Sequence, residues 1–335
     1  MKRLKFGVLT TLVVMLFAAC GGTSVSTTEA GTPTTGSAEG GSILVSGSST
    51  VEPISALVAE GFMPQNPEVG ITVEGPGTSD GFVRFCAGET DISDASRPIS
   101  EEEQAACEAA GVEFVELHIA TDGLSVITSP ENADVTCLNF GDLYSLLGPE
   151  SEGFQSWTDA TALASEVGGN GAFPDAPLVV TAPGEESGTY DTFVELVLAD
   201  IAEERGADEA ARADYQASAN DNVIVDNISA NPTSLGWVGY AFFAENADTL
   251  KALEVDGGAG CVAPTTDTIA SFDYPLSRPL YIYVSTTRLA ENSALGTFVD
   301  YYLSDEGIGA VSEAGYVDLP EEEFAATVAA WEGAK

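Results

Sequence analysis

Residues 183–193, Pro-Gly-Glu-Glu-Ser-Gly-Thr-Tyr-Asp-Thr-Phe, predict a tight turn that leads directly into a helix. The apolar run 178–180 before the turn is typical of a short buried strand, and the apolar residues of 193–198 fit one helix face. Ser187, Gly188 and Thr189 then fall at the helix start, where free N–H groups and the positive end of the helix dipole favour an anion. One such turn is most often an ordinary helix cap, so by itself it does not predict a binding site.

The composition is that of a folded, strongly acidic protein. The 335 residues are enough for two domains, and 44% of them are hydrophobic. There are 53 acidic residues against 11 basic ones, a formal net charge of −42, so nucleic acid and anionic lipid surfaces are poor partners. The net negative charge cannot attract an anion, so an anion site in such a protein has to act through short-range donors. Screening of the net field over about 8–10 Å at physiological salt makes such a site feasible.

Residues 1–20 have the three parts of a secretory leader: a basic start, an apolar run at 8–17, and Ala-Ala-Cys at the end. The apolar run is short for a membrane span. Cys20 follows two small residues and resembles the acylated Cys of a lipobox, although Phe17 stands where Leu is usual. We therefore predict a lipoprotein signal peptide over 1–20, with a plain leader and an incidental Cys as the alternative.

Residues 21–42 are rich in Gly, Ser and Thr and offer almost nothing to bury. This composition predicts a flexible tether with a span of about 25 Å. The tether would hold a globular body close to a membrane to which Cys20 is anchored.

Four cysteines remain after Cys20, an even number that suits disulfides in an oxidising, exported location. Three pairings are open. We favour Cys86 with Cys107 and Cys137 with Cys261, because the first two flank one compact strand–helix unit. A zinc site is the alternative, but the spacings lack paired C-x-x-C steps and the chain has one histidine.

Three further turns rich in hydroxyl groups each follow a predicted strand. They lie at 46–53, 75–81 and 91–99, and the first has Pro53 placed for a helix start. In an open α/β sheet the turns at the carboxyl ends of the strands share one rim, where ligands bind. We therefore expect these turns and the one at 187–189 to converge on a small oxyanion.

The order and spacing of these segments resemble the solute-binding proteins of high-affinity phosphate ABC transporters. The resemblance runs from about residue 43 to about residue 316. It is carried by Ser-Gly-Ser-Ser-Thr-Val-Glu-Pro at 46–53, Thr-Asp-Ile-Ser-Asp-Ala-Ser-Arg-Pro at 90–98, Ser-Gly-Thr at 187–189, Asn-Asp-Asn-Val at 220–223, Leu-Gly-Trp-Val-Gly-Tyr-Ala at 235–241 and Pro-Leu-Ser-Arg-Pro-Leu at 275–280.

The resemblance implies an α/β, two-lobed periplasmic-binding-protein fold of type II, with a hinge and an interlobe cleft. Lobe 1 would comprise 43–120 and 278–335, and lobe 2 would comprise 121–277. The chain would cross between the lobes near 119–123 and 274–276.

The resemblance also implies which residues bind phosphate: Ser49, Thr50, Val51, Thr78, Ser96, Arg97, Ser187, Gly188 and Thr189. Two positions differ from well-known members of the family. A carboxylate that accepts the phosphate proton is replaced by Ser96, and an Arg is replaced by Pro183. Arg97 or Arg84 could supply the missing cation, and Asp94, Asp122 or Glu185 could supply the acceptor.

The predicted function is capture of inorganic phosphate outside the cytoplasm for an ABC transporter permease, without cofactor, metal or covalent chemistry. A receptor for sulfate or a metal oxyanion is one alternative, and a surface lipoprotein without a transport role is another. An enzyme has little support, because the chain lacks a Gly-x-Ser-x-Gly elbow and a histidine cluster.

Overall fold

The computed structural model describes residues 40–335 with the exception of residue 186. The predicted leader 1–20, with Cys20, lies outside the described residues, as does most of the predicted tether 21–42. No helix in the described part of the chain is both long and apolar enough to cross a membrane.

A mixed sheet of nine strands forms the centre of the described structure, in the order β2-β1-β3-β12-β4-β8-β6-β7, with β9 paired to β4. A small second sheet has the order β11-β10-β5. The strands are β1 (Gly41–Gly47), β2 (Val69–Glu74), β3 (Ile92–Ala95), β4 (Phe114–Thr128), β5 (Cys137–Asn139), β6 (Val179–Ala182), β7 (Gln216–Ala217), β8 (Ser234–Gly239), β9 (Lys251–Ala252), β10 (Glu254–Asp256), β11 (Cys261–Val262) and β12 (Ser277–Ser285).

Helices follow most of the strands, as an α/β fold requires. They are α1 (Glu52–Phe62), α2 (Thr78–Cys86), α3 (Glu101–Ala110), α4 (Phe140–Leu147), α5 (Thr161–Glu166), α6 (Gly188–Phe193), α7 (Ala199–Arg205), α8 (Asp221–Ala230), α9 (Tyr240–Glu245), α10 (Thr266–Ala270), α11 (Thr286–Leu289), α12 (Ser293–Tyr302), α13 (Asp305–Ile308), α14 (Ala310–Glu313) and α15 (Glu321–Ala334). A π-helical turn, Val194–Leu198, joins α6 to α7, and short 3₁₀ turns cover Met63–Gln65, Pro149–Ser151 and Trp157–Ala160.

The ends of several helices follow from local side-chain chemistry. Ser100 caps α3 through a hydrogen bond from the Glu103 N–H, and the Glu103 side chain in turn accepts from the Ser100 N–H. The same helix ends at Gly111, which takes the left-handed conformation with φ 74°. A Pro in the first turn of α1 suits its start.

The long strand β4 connects the two halves of the central sheet. Its first part pairs antiparallel with β12, and its last part, from Leu124 onward, pairs antiparallel with β8. The β4–β12 register places Arg278 directly opposite Asp122. The neighbouring Thr121 also exchanges two backbone hydrogen bonds of 2.9 Å with Val317, which attaches the C-terminal segment to β4.

Two large hydrophobic cores are described. One is built from residues of 43–120 and 280–331, including Ile43, Phe62 and Phe298. The other is built from residues of 124–276 and Val317, and within it the Phe193 and Trp237 rings stack at a centroid distance of 4.1 Å.

Strand β1 begins at Gly41, so the end of the predicted tether was placed too late. Gly41 and Ser42 are in register with Val69 and Gly70 of β2 in a parallel ladder. The backbone pairing of these residues needs no apolar side chain, which is why composition alone assigned them to the tether.

Both predicted disulfides, Cys86–Cys107 and Cys137–Cys261, are confirmed. The zinc alternative is excluded for these four residues, since each sulfur is bonded to another. The first bridge closes a sequence separation of 21 residues and the second a separation of 124.

We expect removal of the Cys137–Cys261 bridge to lower the free energy of unfolding more than removal of the Cys86–Cys107 bridge does. In the chain-entropy model, the longer loop contributes about 1.5 kcal/mol more to the free energy of unfolding. Urea unfolding of the C137A/C261A and C86A/C107A variants measures this difference. Equal losses, or a larger loss for the Cys86–Cys107 pair, would contradict the expected order.

Candidate functional site

A cavity of about 380 Å³ lies where several of the predicted hydroxyl-rich turns meet. Its described lining contains hydroxyl, carboxylate and guanidinium groups but no histidine or cysteine. The lining residues are Ser48, Ser49, Thr50, Pro76, Gly77, Thr78, Ser79, Asp80, Ser96, Arg97, Asp191, Glu195 and Arg278.

The turn between β1 and α1 forms one wall. Ser48 is held by a 2.8 Å hydrogen bond from its N–H to the Asp94 carbonyl, and its hydroxyl accepts from the Thr50 N–H at 3.2 Å. Val51 is buried, and its N–H donates to the Ser48 carbonyl at 3.2 Å. The turn is therefore fixed by its own hydrogen bonds, and the Thr50 hydroxyl is placed at the cavity.

The start of α2 and the end of β3 form a second wall. Gly77, whose φ of 110° favours glycine, precedes α2, and the first-turn N–H groups of this helix have no acceptor within the helix. The Thr78 hydroxyl accepts from the Ser96 N–H at 3.2 Å and lies 3.0 Å from the Ser96 hydroxyl. Thr78 and Ser96 are thus brought together although 18 residues separate them.

The Ser187-Gly188-Thr189 turn lies behind the first wall and does not line the cavity. Ser187 acts as a helix cap, accepting from the Thr189 N–H at 3.2 Å. A Cβ on Gly188 would lie 3.1 Å from both the Ser49 carbonyl oxygen and the Thr50 Cα, so glycine permits this turn to contact the β1–α1 turn directly. The Ser49 hydroxyl also donates to the Asp191 carboxylate at 2.7 Å.

Arg278 is a cavity residue to which the sequence analysis gave no role. It is only 5% exposed, and its Nη2 donates to the Thr50 hydroxyl at 2.8 Å and also to the Thr192 hydroxyl. Its guanidinium further contacts the Asp122 and Glu195 carboxylates. The sequence did contain a signal for this contact. Arg278 and Asp122 are charged residues within apolar segments, and a charge that is buried there needs an oppositely charged partner.

Asp122, one of the proposed proton acceptors, is the buried partner of this arginine. Its Oδ2 lies 3.3 Å from Arg278 Nε and accepts from the Thr192 hydroxyl at 3.0 Å. Burial raises the pKa of Asp122, and the Arg278 charge and the Thr192 hydrogen bond oppose that rise. Asp122 does not line the cavity, so it acts through Arg278.

The two arginines that the sequence analysis considered are both paired with carboxylates. Arg97 lines the cavity, but its two terminal nitrogens donate to the two Glu103 oxygens at 2.8 Å each. Arg84 binds Glu74 and the Ser46 hydroxyl and is not part of the lining. The Glu103 contact is the largest cause of the raised pKa of Arg97.

The carboxylates at the cavity are Asp80, Asp191 and Glu195, none of which the sequence analysis proposed as an acceptor. Glu185 is exposed and Asp94 is fully buried in the core instead. The sequence could not show which acidic residues line the cavity and which are exposed or in the core, because their exposure depends on how the helices pack on the sheet.

A model of the PBP superfamily domain matches residues 28–306. Protein SphX from Synechocystis sp. is 38% identical over 284 residues, which cover 84% of this chain and 80% of the relative. The phosphate-binding protein PstS from Staphylococcus epidermidis is 34% identical over 313 residues, covering 92% of this chain and 87% of the relative. The chain belongs to the PstS family of the PBP superfamily.

A solved structure shows the same architecture as this PstS family member. The crystal structure of a possible phosphate binding protein from Planctomyces limnophilus is 36% identical, covers 88% of this chain and 99% of its own, and has a TM-score of 0.79. The predicted family and the predicted periplasmic-binding-protein fold are therefore confirmed.

Asp94 should make folding stability depend on pH. Burial raises its pKa to about 7, while the 3.0 Å hydrogen bond from the Ser55 hydroxyl opposes the rise; Asp94 Oδ2 has no hydrogen-bond partner among the described residues. Between about pH 4 and pH 7 the folded protein then keeps a proton that the unfolded chain has lost, so stability falls as pH rises through this range.

Replacement of Asp94 by Asn should remove this decrease in the free energy of unfolding between about pH 4 and pH 7. The decrease amounts to at most about 4 kcal/mol. Urea unfolding of wild type and D94N at pH 4.5, 6 and 8 measures it, with D200N as a control for loss of an exposed carboxylate. Parallel pH profiles for wild type and D94N would show that Asp94 does not titrate in this range.

Proposed function

We propose that this chain captures inorganic phosphate in the cavity and delivers it to an ABC importer. The observation that carries the proposal is the convergence of the Thr50, Thr78 and Ser96 hydroxyls and the start of α2 on one cavity. These groups are short-range donors, which a chain with a net charge of −42 needs in order to hold an anion. The family to which the chain belongs supports the same ligand.

In this proposal the predicted residues act as two sets. Ser49, Thr50, Thr78, Ser96 and Arg97 contact the anion, since all five line the cavity. The other predicted residues hold the walls together: Val51 within the first turn, and Ser187, Gly188 and Thr189 in the turn that packs against it.

The acidic residues of the lining favour phosphate over sulfate. Near neutral pH phosphate carries a proton that a carboxylate can accept, whereas sulfate carries none and would be repelled. Asp80 and Asp191 are available in place of the carboxylate that Ser96 replaces. A ligand with at least one proton is therefore the better match for this lining.

We take residues 43–120 with 278–335 as one lobe and 121–277 as the other. The separation of the two large cores supports this division. The cavity lining includes Asp191 and Glu195 from the second lobe and hydroxyl-bearing turns from the first. Phosphate would then bind between the lobes, and opening and closing would occur at β4 and β12.

We place the protein outside the cytoplasm, anchored to the cell membrane through lipid on Cys20 and separated from it by a tether. The leader composition at 1–20 and the Gly, Ser and Thr content of 21–42 support this placement. The proposed partners are the permease subunits of the importer. The acidic surface would keep the protein apart from anionic lipid while the tether holds it nearby.

Isothermal titration of the full chain with phosphate and with sulfate tests the function. We expect phosphate to bind at pH 7, and sulfate to bind at least about tenfold more weakly, because it lacks a proton for the lining carboxylates. No binding of phosphate, or sulfate binding of equal strength, would refute the proposal.

Thr78→Val should weaken phosphate binding by about tenfold, because one neutral hydrogen bond contributes about 1 kcal/mol and the Ser96 N–H would lose its acceptor. Titration of T78V with phosphate measures the effect. Thr297→Val, in α12 and outside the lining, is the matched control and should bind as wild type does. An unchanged phosphate affinity in T78V would show that the wall formed by the start of α2 and the end of β3 does not contact the phosphate.

A further inference from the structure

Arg278 is the most deeply buried cation in the cavity wall. It lies on β12, is 5% exposed, and reaches the cavity from the strand pair that connects the two halves of the sheet. Arg97, the other arginine in the lining, already has both terminal nitrogens on the Glu103 carboxylate. The Arg278 nitrogens also have partners, but one of those partners, Glu195, is 50% exposed, whereas the Glu103 side chain is only 16% exposed. Arg278 is therefore the arginine that can more readily exchange a carboxylate for an anion.

Three sides of the Arg278 guanidinium have different partners. Nε faces Asp122 at 3.3 Å, and Nη2 donates to the Thr50 and Thr192 hydroxyls. Nη1 donates to the Glu195 carboxylate. The first two sides fix the orientation of the guanidinium, and the third is directed to a residue that can move.

The two carboxylates that contact Arg278 differ in how easily they can leave it. The Asp122 side chain is 4% exposed and stands directly opposite Arg278 in the β4–β12 register, so separating them would leave a buried charge unpaired. The Glu195 side chain is 50% exposed and can return to water at little cost. It also lies on the π-helical turn Val194–Leu198, an irregularity that is frequent at functional sites.

We propose that Arg278 binds the phosphate alongside Arg97, and that Glu195 occupies the Nη1 of Arg278 until phosphate displaces it. This inference rests on the proposed function. Nη1 is the nitrogen that becomes available when Glu195 leaves, and its N–H can make a charge-assisted hydrogen bond to a phosphate oxygen. The fixed Asp122 already orients the guanidinium for this contact. With Glu195 attached, the group of two carboxylates and one guanidinium has a net charge of −1. The exchange releases the Glu195 charge to water, and the phosphate brings at least one negative charge of its own to the guanidinium.

The exchange predicts opposite effects for two substitutions. Glu195→Gln removes the competing charge and should tighten phosphate binding by about two- to fivefold, the range of a half-exposed ion pair. Arg278→Gln should weaken phosphate binding by at least about tenfold, because a charge-assisted hydrogen bond is lost. Arg278→Lys keeps the charge without the planar fork and should lie between R278Q and wild type.

A double-mutant cycle separates displacement from simple charge removal. Asp80→Asn is the matched control, since it also removes one negative charge from the lining but Asp80 has no described contact with Arg278. The gain from E195Q should disappear in the R278Q background, whereas any change in affinity caused by D80N should persist there. All variants are titrated with inorganic phosphate as full chains, with circular dichroism to check folding.

An E195Q affinity equal to or weaker than that of wild type overturns the inference, and this result is obtainable even if R278Q fails to fold. Equal gains for E195Q with and without Arg278 also overturn it. A wild-type chain that binds phosphate while R278Q and E195Q match it refutes this inference alone. A wild-type chain that binds neither phosphate nor sulfate refutes the proposed function as well.

Discussion

The antiparallel pairing of β4 with β12 is the contact on which the rest of the structure depends. This pairing runs from Phe114 to Gly123 on one strand and from Ser277 to Ser285 on the other. It joins segments that are more than 150 residues apart and links the elements around both large cores in one sheet. The same register puts Arg278 opposite Asp122, so a constraint of the fold also determines the position of a charged pair beside the cavity.

The charge of the molecule explains why its cavity has the composition it does. With 53 acidic residues against 11 basic ones, long-range attraction cannot bring an anion to the surface. Attraction has to come from hydroxyls, helix N–H groups and a guanidinium within a few ångströms of the ligand. Asp80 and Asp191 in the lining do not work against this, provided that the ligand carries a proton. In the proposed function, an acidic exterior is thus combined with binding of a protonated oxyanion.

Local chemistry made much of the fold predictable. The capping box of Ser100 and Glu103 and the glycine at 111 define α3 through interactions within a few residues, which are readable from the sequence. The Cys86–Cys107 and Cys137–Cys261 bridges were predicted correctly, since an even set of exported cysteines leaves few pairings. Convergence of Thr50, Thr78 and Ser96 could be predicted because the turns after parallel strands share one rim. Arg278 could not be assigned in this way, since its role depends on a strand partner 156 residues away.

The sequence by itself determined the family, the α/β class and the turns that carry the hydroxyl groups, because each depends on spacing or on residue type. It favoured, among three possible pairings, the disulfides that the structure shows. The tertiary structure decided which charges are paired. Only the packed sheet shows that Asp94 lies in the core and that Arg278 reaches the cavity. The physical reason is that burial and partner distance set the energy of a charge, and both arise from contacts between segments that are distant along the chain.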